Sequence, residues 1–444
     1  MLAAEGLLPY RDFAYLQTPL QPLLLAPIAW FAGPWTWPAL RLVNAALGAV
    51  AVMGVHRAAR EAGVSPGAAL LAAALFAGCD VLLFSIGTAR NDALPAALLG
   101  LALPFVVRAD QGRGTPAQAV AVGFLLAGAA AAKISYALPA AAYGLWSLAH
   151  RRHRAHHVVL GALPPLVLVA WTGLLAPEGF VFGVLDFPTR APLEWYADRP
   201  AKLSLATKLV DAVKFLGLGA ALPVLLLVAR GLRLSALTVL LAAGVVAALL
   251  PAPTWRQYLL PVLPPLFVLL AFSLHERPPG RGWRVALALF AAAGLAPTVA
   301  ALAGQGLSLA RAMRESAAIR ATLDRAGVDG PVATLSPQFL PAAGRRPVPE
   351  FAAGPFYFRS DRLLDEAAER RLRLISRIRP RLVGAAVLIG GEGRRTSGSD
   401  GLDAALAAVA RQAGWRELPV PGTPFHVFTP PAPAAPRPAR RSSS

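Results

Sequence analysis

The chain has 444 residues, of which 56% are hydrophobic and only 15% are charged, and its mean hydropathy is +0.53. A soluble domain of this length needs more surface charge, so the composition excludes a water-soluble protein and indicates a polytopic membrane protein. The net charge of +19 does not indicate nucleic-acid binding, because the basic residues are spread over separate loops and the tail rather than along one surface.

The first segment, residues 1–37, is predicted to be an external loop with an interfacial piece. We expect no cleavable signal peptide in these residues, because Glu5, Arg11 and Asp12 break the order of basic and apolar residues that such a peptide needs. Residues 19–33 are apolar, but they are short and interrupted by prolines. We therefore predict an interfacial or re-entrant segment, with its tryptophans at the depth of the lipid headgroups.

Residues 38–303 are predicted to form the transmembrane domain, mainly α-helical, with about ten spans. A span needs about 20 apolar residues, and several of the apolar runs are short. The predicted spans are 38–56, 66–87, 93–108, 116–132, 134–149, 157–175, 212–229, 234–250, 258–274 and 284–303.

Arginine in alternate loops predicts the orientation of these spans. Short loops rich in arginine or lysine stay in the cytoplasm. The basic loops are 57–60, 108–113, 151–154, 230–233 and 277–284, and the loops between them are then external. This topology also places the N-terminus outside, so we expect a further span before Met1. An N-terminus that reaches the outside without a signal is the alternative. The predicted location is the plasma (inner) membrane, in a multi-pass arrangement.

Residues 304–430 differ in pattern and are predicted to form a small external, periplasmic α/β domain. Helical periodicity covers 308–326 and 402–413. Alternating apolar stretches lie at 331–335 and 382–389, and short strands are expected at 415–420 and 426–429. The last residues, 431–444, are rich in proline, alanine and arginine, and they are predicted to be disordered.

Polar residues in the external loops are the candidates for function, because charged groups at a membrane are expensive and usually functional. Each also has a structural interpretation, such as helix capping for Asp92, snorkelling for Lys133 and interface anchoring for Arg256. A second interpretation of the Asp12 carboxylate is a local salt bridge with Arg11. The histidines between residues 150 and 157 do not indicate a metal site, because neighbouring arginines repel a cation.

Four short motifs lie at 6–12 (GLLPYRD), 41–44 (RLVN), 88–95 (TARNDALP) and 258–265 (YLLPVLPP). They resemble motifs of the GT-C glycosyltransferases, in the branch of the protein mannosyltransferases and aminoarabinose transferases. The segment GLLPYRD at 6–12 is similar to the first external loop of that family, and TARNDALP at 88–95 is similar to a second one. RLVN at 41–44, Lys133 before a span, and YLLPVLPP at 258–265 are similar as well.

The resemblance implies a glycosyltransferase, a hexosyl or pentosyl transferase that takes a sugar from a polyprenyl-phosphate carrier embedded in the bilayer. A carboxylate acts as the base on an unknown acceptor, and cations bind the donor phosphate. No cofactor, metal or nucleic acid is implied. The expected site residues are Asp92 and Asp12 as catalytic carboxylates, Arg11, Arg90, Lys133 and Arg256 for the phosphate, and Tyr10, Asn91, Glu194 and Tyr258 for the substrate.

Two departures from the family leave alternatives open. The family has a catalytic aspartate at the end of its first span, whereas the only acidic residue before Gly6 is Glu5, which does not fit the pattern. We expect that aspartate on the missing upstream segment. The aminoarabinose branch also has Lys-Pro-Pro where this chain has Gln17, Thr18 and Pro19. A non-catalytic scaffold of the cell envelope with the same fold is therefore one alternative. A transporter is the other, although the polar residues lie at span ends on one side and no inverted repeat is evident.

Overall fold

The computed structural model describes residues 1–306, 308–390 and 401–431, and it is mainly helical. Apolar segments form helices because hydrocarbon offers no hydrogen-bond partner to the backbone, and a helix satisfies its own N–H and C=O groups. One unit of the chain comprises Met1–Arg311 and Arg362–Arg373. Its helices are α1 (Leu20–Ala32), α2 (Thr36–Glu61), α3 (Pro66–Ala77), α4 (Asp80–Ile86), α5 (Ala93–Asp110), α6 (Pro116–Ala132), α7 (Ala137–Ala149), α8 (Ala155–Leu175), α9 (Pro177–Val181), α10 (Phe187–Trp195), α11 (Leu205–Gly217), α12 (Ala221–Ala229), α13 (Ala236–Leu249), α14 (Leu263–Glu276) and α15 (Arg281–Gln305).

Several of these helices are long and apolar enough to cross a bilayer, which agrees with a multi-pass membrane protein. Within the described residues there are five such helices by length and composition, and up to seven if each of two bent pairs is one span. The five are Leu20–Glu61, Ala93–Asp110, Ala155–Leu175, Arg256–Glu276 and Arg281–Gly304. Helices α6 and α13 are apolar but shorter. The predicted count of about ten spans stays a prediction.

Two segments that were predicted as single spans are broken in the structure. The predicted span 66–87 consists of α3 and α4, which are bent by 64°, and α11 and α12 are bent by 104°. The two breaks lie together. A Cβ atom on Gly219, which has a φ of 132°, would lie 2.8 Å from the Cα atom of Cys79. Only glycine permits this backbone conformation and this close approach. Cys79 is buried, as predicted.

Glycines allow neighbouring helices in the bundle to approach each other closely. On α6, a Cβ atom at Gly123 would lie 1.9 Å from the carbonyl oxygen of Val158 on α8. In the reverse direction, a Cβ atom at Gly161 would lie 1.9 Å from the carbonyl oxygen of Val120. Without a hydrophobic driving force between helices in lipid, such small-residue contacts carry much of the packing energy.

We expect Gly123→Val to separate α6 from α8 and to lower the thermal stability of the purified protein. Overpacking costs about 1–3 kcal/mol or more when backbone, rather than a flexible side chain, must move. The measurement is thermal unfolding in detergent, with Gly144→Val as the matched control. Gly144 lies in helix α7, and a Cβ atom there would meet nothing within 4 Å. Equal melting temperatures for the two variants would contradict the close packing of α6 on α8.

The other unit comprises Ala312–Asp361 and the described residues from Leu374 onward. Its four strands are β1 (Val332–Thr334), β2 (Ala386–Ile389), β3 (Arg416–Pro419) and β4 (His426–Thr429). They form one sheet in the order β1-β2-β4-β3, with β1 parallel to β2 and the other neighbours antiparallel. The apolar side chains of Ala333, Val387 and Phe428 pack in one core with Leu402 and Leu406. The helices are α16 (Ser308–Arg325), which leads into this unit, α17 (Pro355–Phe358), α18 (Glu366–Arg371, in the first unit) and α19 (Gly401–Gln412).

This small sheet with its helices confirms the predicted α/β character of the C-terminal region. The predicted strands and both predicted helices lie where the sequence pattern places them, within a few residues. The predicted domain limits of 1–37, 38–303 and 304–430, and the external position of the last, stay predictions. The predicted disordered tail, 431–444, falls outside the described residues from position 432 onward.

Candidate functional site

Asp92 lies at the centre of a cluster of charged side chains at one end of the helical unit. It occupies the N-cap position of α5, but its carboxylate makes no capping hydrogen bond. Instead, Oδ1 accepts a hydrogen bond from Nζ of Lys133, and Oδ2 accepts one from Nε of Arg90 at 3.0 Å. The side chains of Asp92 and Lys133 are 1% and 4% exposed. The capping interpretation of Asp92 is therefore replaced by a buried ion pair, which the N-terminus of α5 also favours.

The backbone around Arg90 is held by two amide side chains from other helices. Asn44 on α2 donates hydrogen bonds to the carbonyl oxygens of Thr88, at 2.6 Å, and of Arg90, at 2.8 Å. Gln21 on α1 donates another to the Arg90 carbonyl oxygen at 3.1 Å. These hydrogen bonds satisfy carbonyl groups of a loop that has no hydrogen bonds of a helix or strand. The loop therefore holds Arg90 and Asp92 in fixed positions.

Lys133 reaches Asp92 because helix α6 ends there. It follows the last residue of α6 in an extended conformation, and its ammonium lies 5.3 Å from the ring centre of Tyr258. Thr18 donates a hydrogen bond to the carbonyl oxygen of Ala130 at 2.9 Å, so the segment before α1 meets the same end of α6. Burial raises the pKa of the Tyr15 phenol, and the nearby Asp92 carboxylate raises it further.

A second ion pair lies beside the first. Nη1 of Arg256 donates to both carboxylate oxygens of Asp80, at 2.9 and 3.2 Å, and the Asp80 side chain is only 3% exposed. The Arg256 guanidinium lies 3.4 Å from the ring centre of Phe84, and the Arg90 guanidinium lies 4.9 Å from the same ring. Phe84 therefore brings the two arginines together through cation–π contacts.

We call Asp80, Arg90, Asp92, Lys133 and Arg256 the ion cluster. It carries one more positive than negative charge, which favours an anionic ligand. Its acidic side chains are buried, whereas the arginines remain 35% and 30% exposed at positions 90 and 256. The groups that a ligand can reach first are therefore the two guanidiniums, which suit the geometry of phosphate oxygens.

The predicted site residues Arg11 and Asp12 of the N-terminal loop interact with each other and with nearby backbone rather than with the ion cluster. Oδ2 of Asp12 accepts hydrogen bonds from the Leu8 backbone at 2.8 Å and from Arg11 at 2.7 Å. The bond from Arg11 lowers the pKa of the Asp12 carboxyl. Arg373 donates to the Asp12 carbonyl oxygen at 3.2 Å. The local salt bridge that the sequence suggested is present, and the catalytic role of Asp12 and the phosphate-binding role of Arg11 stay predictions.

Tyr10 shapes the N-terminal loop. It is buried with a φ of 69°, its hydroxyl donates to the Gln17 carbonyl oxygen, and its ring packs edge-on against Phe180 at 5.2 Å. Asn91 lies partly buried in the turn between Arg90 and Asp92. Glu194 Oε1 accepts a hydrogen bond from the Arg362 backbone at 3.1 Å. These contacts of Tyr10 and Glu194 do not involve the ion cluster. The substrate-binding roles predicted for Tyr10, Asn91 and Glu194 stay predictions.

Asp80 is the residue that sequence reasoning missed. It was placed inside the predicted span 66–87, where it lies at the start of α4, directly after the break at Gly78 and Cys79. The signal was present in the sequence, because an aspartate within an apolar span is rare and usually functional. Its partner, Arg256, was predicted as a site residue, and the structure supplies the counter-charge that the prediction lacked.

The arrangement of these helices is that of the GT-C glycosyltransferase fold. Two solved structures of ArnT, an aminoarabinose transferase from Cupriavidus metallidurans, share it. In the apo state the TM-score is 0.62 at 15% identity, covering 96% of this chain and 90% of that chain. With ArnT bound to undecaprenyl phosphate it is 0.58 at 16% identity, covering 97% and 92%.

The Archaeoglobus fulgidus oligosaccharyltransferase tethered with an acceptor peptide matches at a TM-score of 0.43 and 14% identity, over 89% of this chain and 64% of that chain. No protein-family model matches the sequence, and no curated protein matches it. The predicted resemblance to the GT-C glycosyltransferases is confirmed at the level of the fold.

Proposed function

We propose that the chain is a membrane glycosyltransferase that moves a sugar from a polyprenyl-phosphate carrier to an acceptor of the cell envelope, at the external face of the membrane. The ion cluster is the observation that carries this proposal. It gathers three cations and two carboxylates at one end of the helical unit, and the members that are most accessible are the partly exposed guanidiniums of Arg90 and Arg256. A shared fold with ArnT bound to undecaprenyl phosphate supports the choice of a lipid-linked donor.

The residues of the cluster suit the chemistry of sugar transfer. The bond between the anomeric carbon and the phosphate oxygen breaks, and the polyprenyl phosphate leaves as an anion, which Arg90, Arg256 and Lys133 stabilise. The oxygen of the acceptor hydroxyl forms the new bond to the anomeric carbon, and the hydroxyl gives its proton to a carboxylate. Asp92 is our first candidate for that base and Asp12 the second.

Binding of the donor must change the partners of Asp92 if Asp92 acts as the base. In the structure both of its carboxylate oxygens are bound by cations, and the side chain is 1% exposed. A donor phosphate offers Lys133 and Arg90 a competing anion. Transfer of either cation to the phosphate would free one oxygen of Asp92 for the acceptor hydroxyl, so donor and base would be coupled through these cations.

The same burial favours one second candidate, a non-catalytic scaffold of the envelope. In that case the ion pairs serve the fold alone, and no sugar is transferred. The transferase and the scaffold differ in whether the ion cluster binds a donor phosphate and releases Asp92 from its cations. A direct assay of donor binding and donor consumption therefore distinguishes them.

We expect the purified protein in lipid nanodiscs to bind undecaprenyl phosphate and to consume a radiolabelled undecaprenyl-phosphate sugar when an extract of envelope acceptors is added. Binding and consumption are measured separately, over a panel of neutral and amino sugars. Undecaprenol, which lacks the phosphate, is the ligand control. Binding without consumption of any donor would favour the scaffold, and absence of both would refute the lipid-phosphate site.

A further inference from the structure

Arg41 lies on the face of α2 that points into the helical unit. Residues three and four apart share one face of a helix. The positions that follow Arg41 on its face are Asn44, Gly48, Ala51 and Val55, and all four are buried. Arg41 itself is partly buried. An arginine at the start of a buried stripe in a membrane helix is costly, so it needs a reason to be there.

The contacts of this stripe show what lies opposite Arg41. A Cβ atom at Gly48 would lie 2.6 Å from the side chain of Ile86, and one turn nearer the start of α2, Asn44 binds the carbonyl oxygens of Thr88 and Arg90. The stripe therefore runs along the chain that leads to Arg90. Arg41 lies one helical turn beyond Asn44 on the same stripe, and Asn44 binds the loop that carries Arg90.

Arg41 differs from the cations of the ion cluster in having no counter-charge. Arg90 and Lys133 share Asp92, and Arg256 binds Asp80. Arg41 has no ion pair, hydrogen bond or ring contact within the described part of the chain. A partly buried guanidinium without a partner keeps its donors free for an anion that is not part of the protein.

We propose that Arg41 binds the phosphate of the lipid carrier, as a fourth cation beside the ion cluster. This inference rests on the proposed function, since it assigns a residue to the same donor site. Phosphate, like carboxylate, matches the forked donors of a guanidinium. The phosphate of an anionic bilayer lipid is the other source of that chemistry, and the experiment has to separate the two.

The test compares the full-length protein with Arg41→Gln in nanodiscs of phosphatidylcholine alone and in nanodiscs that also contain phosphatidylglycerol. The probe is undecaprenyl phosphate, with undecaprenol as the ligand without phosphate. In phosphatidylcholine we expect Arg41→Gln to weaken binding of undecaprenyl phosphate about tenfold, which corresponds to about 1.4 kcal/mol. Binding of undecaprenol should not change. Arg41→Lys, which keeps the charge but loses the forked donors, should give a smaller loss.

Arg57→Gln is the matched control, because Arg57 is exposed and lies on the same helix. Its affinity should equal that of the wild type. Unchanged binding of undecaprenyl phosphate in Arg41→Gln would overturn the inference. A variant whose only defect is an altered protein stability in nanodiscs with phosphatidylglycerol would also overturn it, because Arg41 would then bind a bilayer lipid. If the wild type itself does not bind undecaprenyl phosphate, the proposed function fails first. If Arg41→Gln does not fold, Arg41→Lys decides.

Discussion

Asp92→Ala is expected to destabilise the protein by about 3–5 kcal/mol and to abolish sugar transfer. The substitution leaves the ammonium of Lys133 buried without its carboxylate, and breaking a buried pair from one side has a cost of this size. Arg90 adds less to the loss, because its side chain is 35% exposed and can turn to water. Thermal unfolding and donor consumption, measured on the same preparation, give the two effects.

The double variant Asp92→Asn with Lys133→Met separates the role in folding from the role in chemistry. It removes both buried charges and keeps the volume of the side chains, so we expect most of the stability to return. Transfer should remain absent, since the candidate base and one phosphate contact are both gone. A double variant that is stable and transfers sugar at the wild-type rate would exclude Asp92 and Lys133 from the chemistry.

The sequence allowed the membrane helices, the small sheet and part of the site to be predicted. Alternating arginine loops placed Arg90, Asp92, Lys133 and Arg256 on one side of the bilayer, and the structure brings these four side chains together. This part could be predicted because charge and hydropathy along the chain decide which loops share an end of a helical bundle.

The sequence could not predict which side chains pair with each other at that end of the helical bundle. A hydropathy window treats 66–87 as one span, whereas the break after Ala77 depends on Gly219 approaching Cys79 from a distant helix. That break puts Asp80 at a helix start, facing Arg256. In the sequence, Asn44 was notable only because it lies in a motif that resembles the family. Its role in holding the Arg90 loop depends on side-chain geometry, which the sequence does not show. Such long-range contacts leave no periodic pattern in the sequence.

The pair of Asp80 and Arg256 should respond unequally to loss of either partner. Arg256→Gln leaves the Asp80 carboxylate, 3% exposed, without a counter-charge, and we expect a loss of stability of about 3–5 kcal/mol. Asp80→Asn leaves Arg256, whose side chain is 30% exposed, able to reach water, and we expect a much smaller loss. Thermal unfolding measures this asymmetry, and equal losses would contradict the burial that the structure assigns to Asp80.

Both variants should nevertheless impair transfer, because Asp80 holds the guanidinium of Arg256, which we propose binds the donor phosphate. A misplaced binding group can reduce the rate about a hundredfold. We therefore expect Asp80→Asn to raise the KM for the donor and to reduce kcat/KM strongly, while Asp198→Asn, at an exposed position, changes neither. The double variant Asp80→Asn with Arg256→Gln should regain stability and stay inactive. If it instead regained transfer, Arg256 would serve the fold alone, and the donor phosphate would have to be bound by Arg90, Lys133 and Arg41 without it.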